Sequence, residues 1–246
     1  MMHGRVAVVT GAGNGIGRAV ARRLSERGCI VAALDRDPTA FETKLHPELR
    51  FYEVDATKSA DVNAVMKRVL SDNGRIDILV NGVGAAQHEH AVDAITDDEW
   101  ERTFDLNVRS AFFCTRAAVP AMKSRSWGRI VNVSAVAGRT YTFFGGADFT
   151  AAKAAIIGFT RQCALELAPH GINVNAVAPG LTLSERVAAS WEAKSEAERA
   201  PILSRIPAGR PSTVDEQASA ICYLCSDEAS YVSGAVLDVC GAMYVP

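Results

Sequence analysis

Apolar positions along the chain fall into short unbroken runs. Residues 6–10, 29–35, 50–55, 76–81, 129–134, 173–178 and 235–239 are rich in Val, Ile and other β-prone residues. None alternates cleanly with polar positions, the pattern of a strand buried on both faces. Between these runs, residues 15–27, 58–73, 97–124, 149–168 and 213–226 carry helical spacing. Strand and helix in alternation predict βαβ units and an α/β fold, with a doubly wound parallel sheet of about seven strands and helices on both faces. No linker-like tract, repeat or low-complexity stretch interrupts the pattern. A single domain over residues 1–246 is expected.

Two helical segments are more apolar than a surface helix requires. Residues 149–168 and 108–122 are apolar or small on most faces, whereas one stripe suffices to dock on a sheet. A second covered face is expected, with a partner subunit as the simplest cover and the chain's own loops as the alternative. Residues 181–208 break the alternation. They follow Pro179-Gly180, carry Glu192, Lys194, Glu196, Glu198 and Arg199 at helical spacing, and end near Pro207 and Pro211. An insertion at the carboxyl edge of such a sheet covers a ligand crevice, so this segment is predicted to be a lid.

Composition narrows the function. The formal charge is −2, with 48% hydrophobic residues, which gives no reason to expect nucleic acid or an anionic membrane as partner. No apolar run approaches the roughly 20 residues that span a bilayer, and the N-terminus shows no secretory pattern. A cytoplasmic protein is expected. Its six cysteines are scattered and mostly sit in apolar segments, which reads as reduced core thiols. Cys222-Tyr-Leu-Cys225 is formally a CxxC pair, but it lies inside an apolar helical pattern without a second pair, and core packing is the expectation.

The first strand runs into Thr10-Gly11-Ala12-Gly13-Asn14-Gly15-Ile16-Gly17, and a helix follows. Glycines let a phosphate approach backbone N–H groups, and the helix N-terminus adds partial positive charge. Between the first strand and first helix of a βαβ unit, this loop predicts a dinucleotide site in a Rossmann-like fold. The second strand ends in Asp35, whose carboxylate can accept bonds from ribose hydroxyls and would repel a 2′-phosphate. Arg36 could pair with that phosphate, but Asn14 offers it nothing. NAD is expected, with NADP less favoured.

Thr-Gly-x-x-x-Gly-x-Gly is the pattern of the short-chain dehydrogenase/reductase family, and the resemblance covers nearly the whole chain. Asp55, with Ala56 beside it, resembles the family's adenine-contacting aspartate. Asn81-Gly82-Val83-Gly84 resembles the Asn-Asn-Ala-Gly turn after the fourth strand. Asn107 matches the asparagine that supports a proton-relay water. Pro179-Gly180 matches the turn after the sixth strand, and the resemblance brings the Thr182 backbone to the nicotinamide carboxamide, with Ser184 nearby. Ser233-Gly234 through Gly241 resembles a last strand that in the family often joins a tetramer interface; a homotetramer or homodimer is implied.

The resemblance also implies hydride transfer between nicotinamide and a carbonyl or alcohol carbon of a small-molecule ketone or secondary alcohol. In the family a tyrosine is the acid or base, a lysine one turn later lowers its pKa and binds the nicotinamide ribose, and a serine hydrogen-bonds the substrate oxygen. Lys153 matches the lysine, but the tyrosine position holds Phe149, and the serine position holds Ala135. Ser134 is one residue off, and on a strand a one-residue shift turns the side chain to the other face. Three readings follow. Both hydroxyls were deleted by design, as one would do to trap a bound ligand. Alternatively, a divergent enzyme uses another donor, led by Tyr141, with His88 and His90 behind it. In the third, the chain binds NAD without turnover, as a sensor or scaffold. The expected pocket walls are 84–90, 139–144 and the lid, with Tyr141, Phe143 and His88 toward substrate. No metal site is expected, because the histidine pair lacks further ligands in the sequence.

Overall fold

In the computed structural model, which describes residues 2–41 and 49–246, every predicted strand is present. They are β1 (Val6–Thr10), β2 (Ile30–Asp35), β3 (Leu49–Glu53), β4 (Ile78–Asn81), β5 (Gly128–Val133) and β6 (Ile172–Pro179). Short β7 (Thr182–Leu183) and β8 (Ser212–Thr213) follow, then β9 (Val236–Val239). The helices are α1 (Gly15–Glu26), α2 (Ser59–Asn73), α3 (Asp97–Phe104), α4 (Ser110–Lys123), α5 (Ala147–Leu167), α6 (Glu185–Glu192), α7 (Glu196–Leu203) and α8 (Val214–Leu224). Seven strands form one sheet in the order β3-β2-β1-β4-β5-β6-β9, and every pairing in it is parallel.

Side chains alternate across this sheet, so each strand from β1 to β6 feeds two cores. Val6 and Val8 of β1 join Leu34, Leu79 and Ile130 under α2, α4 and α5, with Val62, Phe113 and Ala164 from those helices. Ala7 and Val9 face the other way, with Val31, Ile78 and Val131, against Leu24 of α1 and Ile221 of α8. Burial on both faces is why the strands lack alternation. Cys222 and Cys225 are fully buried in the second core, and burial pushes the Cys222 thiol up to about 11, as inert packing residues require.

The segment expected as one helix over 97–124 is broken. Between α3 and α4, residues Asp105–Arg109 form a turn of π-helix. Its wider turn defeats a 3.6-residue reading, and such bulges collect at functional sites. Asn107 lies within it and is buried.

The predicted lid becomes β7, α6 and α7, tied down where β7 pairs with β8. The Arg199 guanidinium donates to the Trp191 and Glu192 carbonyls, at 2.9 and 2.8 Å, and clamps α7 to the end of α6. The outer faces of α4 and α5 are only partly covered: Phe112 and Leu165 remain exposed. No helix among the described residues is long and apolar enough to cross a membrane.

Candidate active site

Strand order reverses between β1 and β4, and the crevice above that point is where doubly wound sheets bind ligands. Thr10 fastens it. Its Oγ1 accepts from the Gly82 and Val83 N–H groups at 3.1 and 3.4 Å, which joins the loops after β1 and β4. The glycine loop needs its glycines: a Cβ at Gly17 would lie 2.1 Å from the Gly11 carbonyl oxygen. Asn14 and Ile16 complete the turn into α1. Asp35 holds the loop from the side, its Oδ2 accepting from Gly13 N–H at 2.8 Å, while Oδ1 accepts from the Arg36 and Asp37 N–H groups.

The N-terminus of α1 has no acidic residue in its own first turn. The start of α6 supplies one. Glu185 Oε2 accepts from the Gly15 N–H at 3.0 Å, and Oε1 pairs with Arg18. Burial pushes this carboxyl up, but its own N–H, the Gly15 N–H and the Arg18 guanidinium outweigh that and hold it below the usual range. A carboxylate thus sits against the helix terminus that suits a pyrophosphate. Further along, Asp55 Oδ1 accepts from the Thr57 N–H and hydroxyl, at 3.0 and 2.7 Å, and the Thr57 hydroxyl lowers its pKa; Ala56 is buried beside it.

Not every family-matched residue points at the crevice. Asn81 donates to Thr115 Oγ1 at 3.1 Å and to Asn132 Oδ1 at 2.7 Å; Asn132 in turn donates to Thr160 Oγ1 at 2.9 Å. This buried chain crosses from α4 through β4 and β5 to α5. Pro179 ends β6, and the Gly180 N–H donates to the Val239 carbonyl. Thr182 Oγ1 contacts the Gly180 carbonyl and Ser212 Oγ, and Ser184 heads α6 with its Cβ beside Gly15.

Lys153, Asn107 and Gly84 converge. Gly84 has φ +154°, and a Cβ there would lie 2.5 Å from Asn107 Oδ1 and 2.7 Å from Lys153 Nζ. Asn107 donates to the Ala85 and Thr103 carbonyls, which leaves its buried Oδ1 without a partner. Lys153 donates to the Val133 carbonyl at 3.0 Å, and burial lowers its pKa to about 8. The Phe149 ring centroid lies 5.7 Å from Nζ, as the four-residue spacing predicts. Ser134 is turned to α5, donating to the Lys153 carbonyl at 2.8 Å. Its hydroxyl is committed there.

The residues expected around substrate divide. Tyr141 and Phe143 meet edge to face at 5.2 Å, with Tyr141 59% exposed at the rim, and the Arg205 guanidinium at the end of the lid lies 3.8 Å over the Phe143 ring. His88 sits deeper, Nε2 3.1 Å from Asp148 Oδ2 and its ring stacked on His90. Sequence reasoning missed Glu185, Asp148 and Glu99. Each is joined to the site only by folding; the single local signal was Thr96-x-x-Glu99, a capping box that heads α3.

A protein family described as enoyl-(acyl carrier protein) reductase matches residues 11–243. The 3-oxoacyl-[acyl-carrier-protein] reductase FabG of Salmonella typhimurium is 37% identical over 245 residues, 98% of each chain. A putative ketoacyl reductase of the monensin polyketide synthase from Streptomyces virginiae is 38% identical, over 97% of each chain. The crystal structure of levodione reductase superposes with a TM-score of 0.89 at 28% identity, covering 97% of each chain.

Proposed function

The chain belongs to the short-chain dehydrogenase/reductase family, and from that premise we propose that it binds NAD(H) and is built for hydride exchange with a ketone or secondary alcohol, with the proton-transfer half of the chemistry disabled. The observation that carries this is the corner where Lys153 and Asn107 meet beside a ring that has no proton to give. The fit to a dinucleotide rests on the Gly17 cradle, the free N-terminus of α1 with its carboxylate guest, and the unpartnered Asn107 Oδ1.

Bound nicotinamide supplies or takes the hydride. Asp35 accepts from ribose hydroxyls and disfavours a 2′-phosphate. Lys153 would hold the nicotinamide ribose, and the unpartnered Asn107 Oδ1 would order a water beside Lys153. What is missing is a hydroxyl at 149 and another at 135. A positioned acid–base group is worth about 10²–10⁴ in rate, and one oxyanion donor about 10²–10³. Both act on one oxygen, so the losses do not simply multiply. The relatives' printed activities make 3-oxoacyl ketones the first class to try, and Tyr141 with Phe143 gives the entrance an aromatic wall. The exposed Phe112 and Leu165 support a homo-oligomer.

The test is paired. NADH fluorescence should report binding to the chain as it stands. The Phe149→Tyr, Ala135→Ser double variant should reduce acetoacetyl thioesters or related ketones at least about 10²-fold faster than the parent. No NADH binding removes the cofactor assignment; binding without any gain in the double variant favours a non-catalytic NAD-binding protein. A parent that already turns over rapidly would point to another donor, tested at Tyr141.

A further inference from the structure

The loop after β4 places His88 and His90 against α3 and the start of α5, outside the dinucleotide crevice. We propose that His88, His90 and Glu99 form a site for a divalent transition metal of the zinc class at the outer wall of the substrate pocket.

One ligand atom from each of the three residues lies within 4.8 Å of the other two. His90 Nδ1 is 3.3 Å from Glu99 Oε1. The other carboxylate oxygen, Oε2, accepts from the Thr96 N–H at 2.9 Å and the Thr96 hydroxyl at 3.0 Å. The capping box therefore fixes the Glu99 carboxylate and turns Oε1 to His90. The two imidazoles stack with centroids 4.6 Å apart.

His88 is backed from behind. Its Nε2 lies 3.1 Å from Asp148 Oδ2, and Asp148 is 1% exposed and also accepts from Thr103 Oγ1 at 2.5 Å. A carboxylate on the far nitrogen of a histidine is the usual support of a metal-ligating imidazole, because it fixes the tautomer and raises the basicity of the free nitrogen. The near nitrogen, Nδ1, accepts a long hydrogen bond from the His90 N–H at 3.3 Å, a contact that a bound metal would have to displace. Both His88 Nε2 and Asp148 Oδ1 are buried without completing a hydrogen bond. A small turn of the ring on ligation brings Nε2 into line with the carboxylate. A plain surface ion pair would leave that buried carboxylate unexplained.

Two imidazole nitrogens and one carboxylate oxygen suit zinc rather than magnesium or calcium, which take oxygen ligands. Three protein ligands leave one position open to water or to a substrate oxygen. The position beside the pocket follows from packing: a Cβ at Gly146 would meet His88 Cε1 at 3.2 Å, and one at Gly145 would meet both Ala86 and Phe149 at 3.0 Å. A substrate passing Phe149 would present a carbonyl or carboxylate oxygen to this wall. The site does not depend on whether the chain turns over.

The experiment is calorimetric titration of Zn²⁺ alone into the full chain after chelation and buffer exchange. One equivalent should bind. His90→Ala, at an exposed position, and Glu99→Gln, which retains an oxygen to accept from Thr96, should each weaken binding by at least about tenfold, and Asp148→Asn by about 10–100-fold, with melting temperature monitored throughout. Co²⁺ substitution should give d–d bands without a thiolate charge-transfer band, which separates this site from the six cysteines. Less than one equivalent bound, affinity changed under about tenfold by either His90→Ala or Glu99→Gln, or a thiolate band in the cobalt spectrum overturns the assignment.

Discussion

The Glu185 carboxylate accepts a hydrogen bond from the Gly15 backbone N–H at 3.0 Å, across 170 positions of sequence. This contact joins the first turn of the lid to the first turn of the helix after the glycine loop. It places an anion belonging to the chain where the anion of a dinucleotide is expected, so a bound dinucleotide would compete with Glu185 for the same N–H group.

Glu185→Gln should therefore tighten NADH binding. A charge at a helix N-terminus is worth about 0.3–1 kcal/mol at exposed sites and up to about 2 when partly buried. Half-exposed Glu185 is screened by solvent, so about 1 kcal/mol, or several-fold in Kd, is the expected gain. It is read by fluorescence titration at low salt. An affinity that falls or stays the same would mean the carboxylate assists the ligand or is irrelevant to it.

Lys153 makes stability depend on pH in a defined window. The ligand-free folded chain releases this proton at about 8, whereas an ordinary lysine holds it to 10.5. Between those values the unfolded chain binds more protons, so this group's contribution to stability rises with pH; below about 8 the full cost of burying the charge is present. Lys153→Met should be more stable than the parent at pH 7, by an amount on the order of 1–3 kcal/mol, and the advantage should shrink toward pH 10. Urea unfolding of both proteins across that range isolates the lysine from the buried cysteines, which titrate alike in each. Parallel pH profiles would exclude the assignment.

In the proposed site Asp35 would serve two ends. Asp35→Ala removes the acceptor for ribose hydroxyls and the support of the Gly13 N–H. NADH affinity should fall by about tenfold, while the NADH-to-NADPH preference shrinks because the repulsion of a 2′-phosphate is gone. Separate titrations with the two nucleotides measure the ratio; a preference that is absent in the parent would dismiss the role given to this carboxylate.

The buried amide chain should be a strong determinant of stability. Asn81→Ala strips a partner from Asn132 Oδ1 and Thr115 Oγ1, and leaving such groups unsatisfied costs about 1–3 kcal/mol. Denaturant midpoints report the loss. Little change would imply that water replaces the amide.

The sheet was legible because burial on both faces removes alternation, and each strand from β1 to β9 in the main sheet matches an apolar run to within a few residues. The helical character of 181–208 was legible because charges reappear at helical spacing after Pro179-Gly180. The π-turn was not, since one extra residue in a turn leaves no mark on the composition around Asn107. The turn of Ser134 away from position 135 was expected from the alternation of side chains along a strand, and its hydroxyl donates to the Lys153 carbonyl. Glu185, Asp148 and Glu99 could not be seen at their sites, because a carboxylate on a helix reads as a solvated face until folding sets it against its partner. The histidine pair was set aside for want of a third ligand in the sequence; folding brings Glu99 of α3 within 4.8 Å of it, which no local pattern announces.

The chain of amides and hydroxyls from Thr115 through Asn81 and Asn132 to Thr160 contains neither position 135 nor position 149. This buried spine is thus separate from the two positions whose hydroxyls are absent. Exchanging a serine or tyrosine hydroxyl for hydrogen at those two places leaves no buried donor stranded in this spine. Restoring hydroxyls at 135 and 149 is therefore expected to leave this spine, and the stability it carries, unchanged.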